Sequence, residues 1–477
     1  NGTDAISANE NLNYQLFYPE NNGREGLFIN LIALSFKVFG TGLWQLRLVG
    51  VLIGVLTVLG VYLLTKELLG ENTALFASVF AASSFWAVNF SRIGFRAIMV
   101  PFILVFAFYF LLKNIFKDKK PISDFIIAGV IFGLGFYTYI SFRIAPLIAI
   151  ILLAFLAIKN LKLLKKQWKM YVLFVLAALI IALPILIYFK VHSQDAVLRS
   201  GQISIFNPEV NKGNFIGTLI KTSSLAFGMF NFYGDPNWRH NFSGLPDLNI
   251  IVGIFFLVGI FLSLKNFIKG DLKESFTSLF LGSWLVVMLI PAILTEEGMP
   301  HSLRAIGAMV PVFIFAGIGA EALFNYFYKK NIKSTKVITI GLVSLILLSD
   351  FVLYFLIWAK RQEVIDQFTT RYVEEANYLN KTPESFNKYV IANESGVLVS
   401  GFPVQSQTIK FLTYNKSQVT FINLQDLERL KIRRPTILVA LKNDEKIKSL
   451  LEKNQKVTES EVVTANKSIH FTTYFVE

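Results

Sequence analysis

Ten apolar runs govern what this chain can fold into. They lie at roughly 44–64, 72–88, 97–112, 124–140, 144–158, 170–189, 248–264, 275–294, 305–327 and 337–358. A helix of about 20 apolar residues crosses the ~30 Å of bilayer hydrocarbon. In lipid every backbone N–H and C=O must find its partner within the protein, so each run is expected to be helical. The runs 97–112 and 144–158 are short for a crossing. The segment 26–40 is shorter still and suits an interfacial helix or the start of a span. Composition agrees: 54% of residues are hydrophobic and 16% charged, with 46 Phe, against about 25% charged in a soluble domain. The chain therefore reads as an α-helical polytopic membrane protein. It has no cysteine, which removes disulfides and thiolate metal sites.

The net charge of +14 invites a nucleic-acid reading, but its distribution argues for topology instead. Alternate connections hold seventeen lysines: Lys66; Lys113, Lys117, Lys119 and Lys120; Lys159, Lys162, Lys165, Lys166 and Lys169; Lys265, Lys269 and Lys273; Lys329, Lys330, Lys333 and Lys336. The opposite short loops hold only Arg92, Arg96, Arg143 and Arg304. The positive-inside rule assigns the lysine loops to the cytoplasm. With ten spans, residues 1–43, the long loop 190–247 and the tail all fall outside. A lysine suffices as a hydrated point charge, whereas arginine suits a planar grip on phosphate or carboxylate. Snorkelling or helix capping is the plainer role for any one of these arginines.

Beyond residue 360 the composition changes. Short β-type runs ("KYVIAN", "VTFIN", "TILVAL", "HFTTYFV") alternate with the helix-like "DEKIKSLLEKN". This predicts a soluble α/β domain over 360–477, following a first outer loop over 1–43 and a membrane domain over 44–358. No nucleotide-binding glycine fingerprint occurs in it.

Four segments of the outer side concentrate the unusual residues. "FYPENNGREGLF" carries Glu20, Arg24 and Glu25, with Asp4 upstream. "NFSRIGFRAI" places Arg92 and Arg96 four apart, on one face if the segment is helical. "NFYGDPNWRHNFSGLPD" combines Asp235, Asn237, Trp238, Arg239 and His240. "TEEGMPHSLRAIG" offers His301 and Arg304 behind Glu296 and Glu297. Each has a plainer reading: Asp235-Pro236-Asn237 is good turn chemistry, and Trp238 suits an interfacial anchor. His240 and His301 are isolated and no HExxH occurs, so spacing gives no zinc signature; a carboxylate site for a divalent cation leaves no spacing signal and stays open. What raises these residues is their shared side. Carboxylates can serve as general bases and arginines can hold a departing phosphate, chemistry that suits an amphiphilic lipid-phosphate substrate.

The stretches "YPENNGREGLFINLIALSFKVFG" and "RLVGVLIGVLTVLGVYLLTKELLG" resemble the first outer loop and following spans of bacterial glycosyltransferase family 39-like membrane proteins. These are similar to dolichyl-phosphate-mannose protein mannosyltransferases and lipid A aminoarabinose transferases. "SRIGFRAIMVP", "GDPNWRHN" and "PHSLRAIGAMVPVF" extend the resemblance across roughly residues 1–330. It implies the glycosyltransferase type C fold and an integral protein of the bacterial cytoplasmic membrane. It also implies inverting sugar transfer from a polyprenyl-phosphate donor to a protein, lipid or glycan acceptor on the outer face. The family's acidic pair would fall just upstream of Asn1, so a missing first membrane helix is expected. Within the chain, Asp4, Glu20 and Glu25 remain as substitute bases. The resemblance assigns donor phosphate to Arg24, although the prolines that follow the family's basic residue are replaced here by Glu25-Gly26. Arg92, Arg96 and Arg304 join Arg24 as phosphate ligands, Asp235, Trp238, Arg239 and His240 shape the pocket, and Arg143, Asn237 and His301 count among the substrate-binding residues. A transporter or flippase of lipid-linked glycans, or a non-catalytic scaffold, are the alternatives, and nucleic acid is not an expected partner.

Overall fold

The structure is a computed structural model. It describes residues 1–113, 115–116, 121–197, 200–330, 332–429, 435–453, 457–463 and 470–476. Lys117, Lys119 and Lys120 of the lysine set lie outside the described residues, as does Asn454, the last residue of the expected 444–454 helix.

The chain opens with α1 (Gly2–Glu10), the short strands β1 (Phe17–Tyr18) and β2 (Arg24–Glu25), and α2 (Leu27–Phe39). Helices α3 (Leu43–Leu69), α4 (Glu71–Ser83), α5 (Phe85–Ile93), α6 (Met99–Leu112), α7 (Ile122–Leu134), α8 (Pro146–Lys159) and α9 (Leu161–Val191) follow. All ten apolar runs are helical. Among the described residues, seven helices are long and apolar enough to cross a membrane, and an eighth crossing results if the bent pair α4–α5 counts as one. The segments Arg96–Leu112 and Ile122–Tyr137 are apolar but shorter. This is an integral, multi-pass membrane protein.

Three departures from the sequence reading have local causes. The run 72–88 is not straight: it breaks at Ser84, whose extended backbone bends α5 by 54° from α4, as adjacent serines favour. Helix α9 starts nine residues before the apolar run, because Asn160 accepts the Leu163 N–H as a cap and lysine propagates a helix well. The long connection 190–247 contains helices: α10 (Ser193–Val197), α11 (Ser200–Ile203), α12 (Pro208–Asn211) and the fourteen-residue α13 (Phe215–Gly228), again capped by an asparagine, Asn214. Helices α14 (Ile250–Lys269), α15 (Leu272–Ile293), α16 (Met309–Lys329) and α17 (Thr335–Phe351) complete the set, and α17 runs into a π-helical turn at Val352–Ile357.

The chain divides into two compact units. One comprises Tyr14–Tyr18 and Glu25–Ile357; the other comprises Asn1–Asn13, Pro19–Arg24 and Trp358–Glu477. The first is helical. In it, Gly50 and Gly54 of α3 let that helix approach α5 closely, since a Cβ on either would strike Ser91. The second unit holds α18 (Gln362–Gln367), α19 (Thr370–Lys381), α20 (Ser406–Thr413), α21 (Glu445–Glu452) and β3 (Asn387–Ala392), β4 (Leu398–Val399), β5 (Phe402–Pro403), β6 (Val419–Asn423), β7 (Thr436–Ala440), β8 (Val457–Val463) and β9 (His470–Val476). Its five-stranded sheet has the order β6-β3-β7-β9-β8, parallel among the first three and antiparallel thereafter. Strand β7 is buried along its whole length, as a strand covered on both faces should be. Helix α1 belongs to this unit: Gly2 packs on the Phe411 ring, and Tyr414 hydrogen-bonds Glu10.

Candidate active site

The four charged segments supply two adjoining groups of polar residues inside the helical unit. The first is built on Glu25, whose carboxylate is almost wholly buried. Arg96 Nε donates to its Oε2 at 2.9 Å and Arg143 Nη2 to its Oε1 at 3.4 Å. Aromatic faces hold both cations: Arg96 lies 5.2 Å from the Tyr139 ring centroid and Arg143 4.4 Å from that of Phe189. Arg143 also donates to the Ala196 carbonyl at 2.5 Å.

The second group centres on Asp235, 1% exposed. Its Oδ1 accepts the Asn237 N–H at 2.8 Å, closing the turn that the sequence suggested. Its Oδ2 accepts the Ser302 N–H at 2.8 Å and meets His240 Nδ1 at 2.9 Å, with His301 Nδ1 at 3.8 Å. Asn237 in turn accepts the Arg239 N–H at 2.9 Å. Asp235, His240 and His301 offer ligand atoms within 4.8 Å of one another. The far nitrogen of His240, Nε2, is buried without a hydrogen-bond partner among the described residues. Beneath them Asp247 accepts the Ser302 hydroxyl at 2.7 Å and the Asn241 amide at 3.1 Å. Burial pushes the Asp247 carboxyl up to about 8 against the Ser302 hydrogen bond, and the Asp235 charge adds to the rise.

Phe95 and Arg96 join the two groups. The Phe95 ring lies 6.0 Å from that of His240 and 5.3 Å from the Arg239 guanidinium, while its chain neighbour Arg96 reaches Glu25. Burial draws the Arg239 pKa below its ordinary value, with Asp235 opposing. The assembled site holds three guanidiniums, of Arg96, Arg143 and Arg239, against the carboxylates of Glu25 and Asp235.

The remaining predicted residues go elsewhere. Arg92 and Arg96 do not grip one anion from one helix face. Helix α5 ends at Ile93, and Gly94 reverses the chain at φ 80°, a conformation glycine adopts freely. Arg92 is exposed and lies over the Tyr354 and Phe355 rings at 5.5 and 5.1 Å. Arg24 makes a two-pronged pair with Asp4 at 2.7 and 3.2 Å, within the sheet-containing unit. Glu20 stands exposed on the same turn. Arg304 is spent on its own loop, donating to the Glu297 carbonyl at 2.6 Å, the Glu297 carboxylate at 3.1 Å and Thr295 at 2.9 Å. Trp238 lies against Phe242, ring centroids 4.9 Å apart and the planes tilted by 53°. Ser302 and Asp247 escaped the sequence reading, because a serine and a lone aspartate in loops carry no spacing signal.

Comparison with known proteins agrees with this architecture. Residues 27–188 match the family model described as dolichyl-phosphate-mannose-protein mannosyltransferase. No curated protein matches the sequence. Among solved structures, ArnT from Cupriavidus metallidurans bound to undecaprenyl phosphate superposes with a TM-score of 0.53 at 13% identity, covering 98% of this chain and 92% of that one. Its apo state gives 0.56 at 13% identity, with 98% and 91% covered. The oligosaccharyltransferase AglB from Archaeoglobus fulgidus, in complex with an inhibitory peptide and a dolichol-phosphate, gives 0.50 at 15% identity, with 91% and 64% covered. The fold is thus that of the type C membrane glycosyltransferases, carrying a C-terminal sheet domain. Within that class, the chain is similar over its matched segment to the glycosyltransferase family 39 membrane proteins.

Proposed function

We propose that this protein transfers a hexose, in the manner of the mannosyltransferases, from a polyprenyl-phosphate donor to a hydroxyl acceptor at the outer face of the bacterial cytoplasmic membrane. The observation that carries this reading is the junction of Glu25, Arg96 and Arg143 with Asp235, His240 and His301 across Phe95. A site with three guanidiniums to two carboxylates favours an anion, and the bilayer supplies lipid phosphates. The solved relatives hold undecaprenyl phosphate and dolichol-phosphate, which supports the same donor class here.

Arg96 and Arg143 exchange the Glu25 carboxylate for the donor phosphate and stabilise the charge that grows as it leaves. Glu25, freed by that exchange, accepts the acceptor proton. The acceptor oxygen bonds to the anomeric carbon while the bond from that carbon to the phosphate oxygen breaks, and polyprenyl phosphate departs. A single displacement inverts the anomeric configuration. Asp235, His240 and His301 would hold a divalent cation. One carboxylate and two imidazoles suit a borderline metal such as zinc or manganese, and the partnerless buried Nε2 of His240 marks the cluster as incompletely satisfied. Such an ion would supply positive charge beside the phosphate. Arg239 borders the cluster, against Phe95.

The test uses the full chain in nanodiscs with a radiolabelled polyprenyl-phosphate hexose and a hydroxyl acceptor. Arg96→Ala and Arg143→Ala are expected to lower kcat/KM by about 10²–10³-fold at unchanged melting temperature. Wild-type rates in both variants would remove the phosphate assignment. Movement of the intact donor across the bilayer, with no sugar released, would favour a flippase.

A further inference from the structure

Helix α5 presents two buried polar side chains three residues apart, hence on one face. Trp86 Nε1 donates to the Ser302 carbonyl at 3.3 Å. Asn89, 0% exposed, spends both amide protons on consecutive carbonyls, those of Arg239 at 3.0 Å and His240 at 2.9 Å. One helix face therefore grips both loops of the aspartate–histidine group: the loop that carries His240, and the loop whose Ser302 N–H reaches Asp235. The Asn89 oxygen is occupied as well, accepting the Tyr354 hydroxyl at 3.3 Å. Tyr354 stands buried in the π-helical turn that ends the helical unit, its ring edge-on to Phe85 at 5.0 Å. Single π turns inside helices recur at functional sites.

Asparagine is a poor residue for a helix interior, and a buried amide is tolerated only when satisfied. Here every bond it makes is directed at the peptides that carry His240 or at the tyrosine that fixes its own rotamer. We propose that Asn89 is a positioning residue for the Asp235–His240 pair, and that the Tyr354 hydroxyl locks its amide in the donating orientation. This rests on the reading of that cluster as part of a glycosyl-transfer site. Asn89 touches neither substrate nor reacting atoms in this role; it sets where the His240 ring stands.

Asn89→Asp keeps the shape and the oxygen that faces Tyr354 but points a carboxylate oxygen at two carbonyls. Tyr354→Phe removes only the lock. The chain has four histidines, His192, His240, His301 and His470, so ¹⁵N-histidine NMR of the full chain resolves His240, identified by its loss in His240→Gln. In Asn89→Asp the His240 imidazole resonances should move to those of a ring free of Asp235. Its kcat should fall at least tenfold while KM for the polyprenyl-phosphate hexose stays within twofold. Tyr354→Phe should move both in the same direction by less. Unchanged His240 resonances in Asn89→Asp overturn the proposal; if that variant does not fold, unchanged resonances in Tyr354→Phe overturn it. A wild-type protein that moves no sugar, yet loses the His240–Asp235 signature in Asn89→Asp, refutes the function while the positioning role stands.

Discussion

The two compact units treat buried charge in opposite ways. In the helical unit Glu25 faces two guanidiniums, and a third, Arg239, lies beyond Phe95, so cations exceed the carboxylate they surround. In the sheet-containing unit the buried Glu375 and Lys388 are each held by hydrogen bonds with their immediate neighbours. Among the described residues, Glu375, 0% exposed, meets one cation, Arg371, whose Nε donates to it at 2.7 Å while Nη2 reaches the Ala440 carbonyl and Asn443. Lys388 places its ammonium against three neutral oxygens, of Leu379, Thr382 and Ser417, at 2.9, 2.7 and 2.6 Å. A balanced pair fastens a fold, whereas a surplus of arginine leaves coordination for an incoming anion. That contrast separates a structural ion pair from a binding site with the same residue types.

Three experiments press on this contrast. The largest effect belongs to Glu25. Glu25→Ala and Glu25→Gln should each lower kcat by about 10³-fold, roughly 4 kcal/mol of barrier, with the melting temperature shifted little because Arg96 keeps the Tyr139 face and Arg143 keeps the Phe189 face and the Ala196 carbonyl. A Gln variant with full activity would reduce Glu25 to a counter-ion. Next, Arg371→Ala leaves the buried Glu375 carboxyl without its guanidinium donor and should destabilise the sheet-containing unit by about 1–3 kcal/mol. Calorimetry checks this; an unchanged transition would show that the pair is dispensable. Glu375→Gln should cost under about 1 kcal/mol, because a protonated carboxyl and an amide present similar groups. The smallest effect concerns pH. Burial pushes both Asp247 and Glu375 up to about 8. Between about pH 4 and 8 the unfolded chain therefore binds fewer protons at these groups than the folded one, so stability declines as pH rises through that window. Melting temperatures should drop from pH 6 to 9, less steeply in Asp247→Asn and in Glu375→Gln. An identical slope in all three proteins would contradict the buried, protonated carboxyls.

What the sequence disclosed follows from how locally each feature is encoded. The helices were legible because lipid exposure demands long apolar runs, and the strands "TILVA" and "HFTTYFV" because β-branched and aromatic residues cluster within a few positions. The break at Ser84 was not, since the Ser83–Ser84 pair is flanked by apolar residues on both sides and the run reads as one segment. Residues of the site were legible as types on one side of the chain, but their partners were not. Asp235 meets His301 and Ser302 only because two distant loops both dock on α5. The shared-face expectation for Arg92 and Arg96 failed on a single glycine, Gly94, which stops the helix between them.

The short helical segments have a consequence for the lipid itself. Arg96–Leu112 and Ile122–Tyr137 rise about 25 Å each at 1.5 Å per residue, against hydrocarbon of about 30 Å. Helix α6 has no exposed residue, whereas α7, packed against it, keeps Ile122, Ile126 and Ile127 exposed, so the mismatch of this pair reaches lipid along α7. The acyl chains there must shorten or tilt to meet it, at a fraction of a kcal/mol per Å. Acyl-chain length thereby becomes a variable that bears on how comfortably α7 sits in the bilayer.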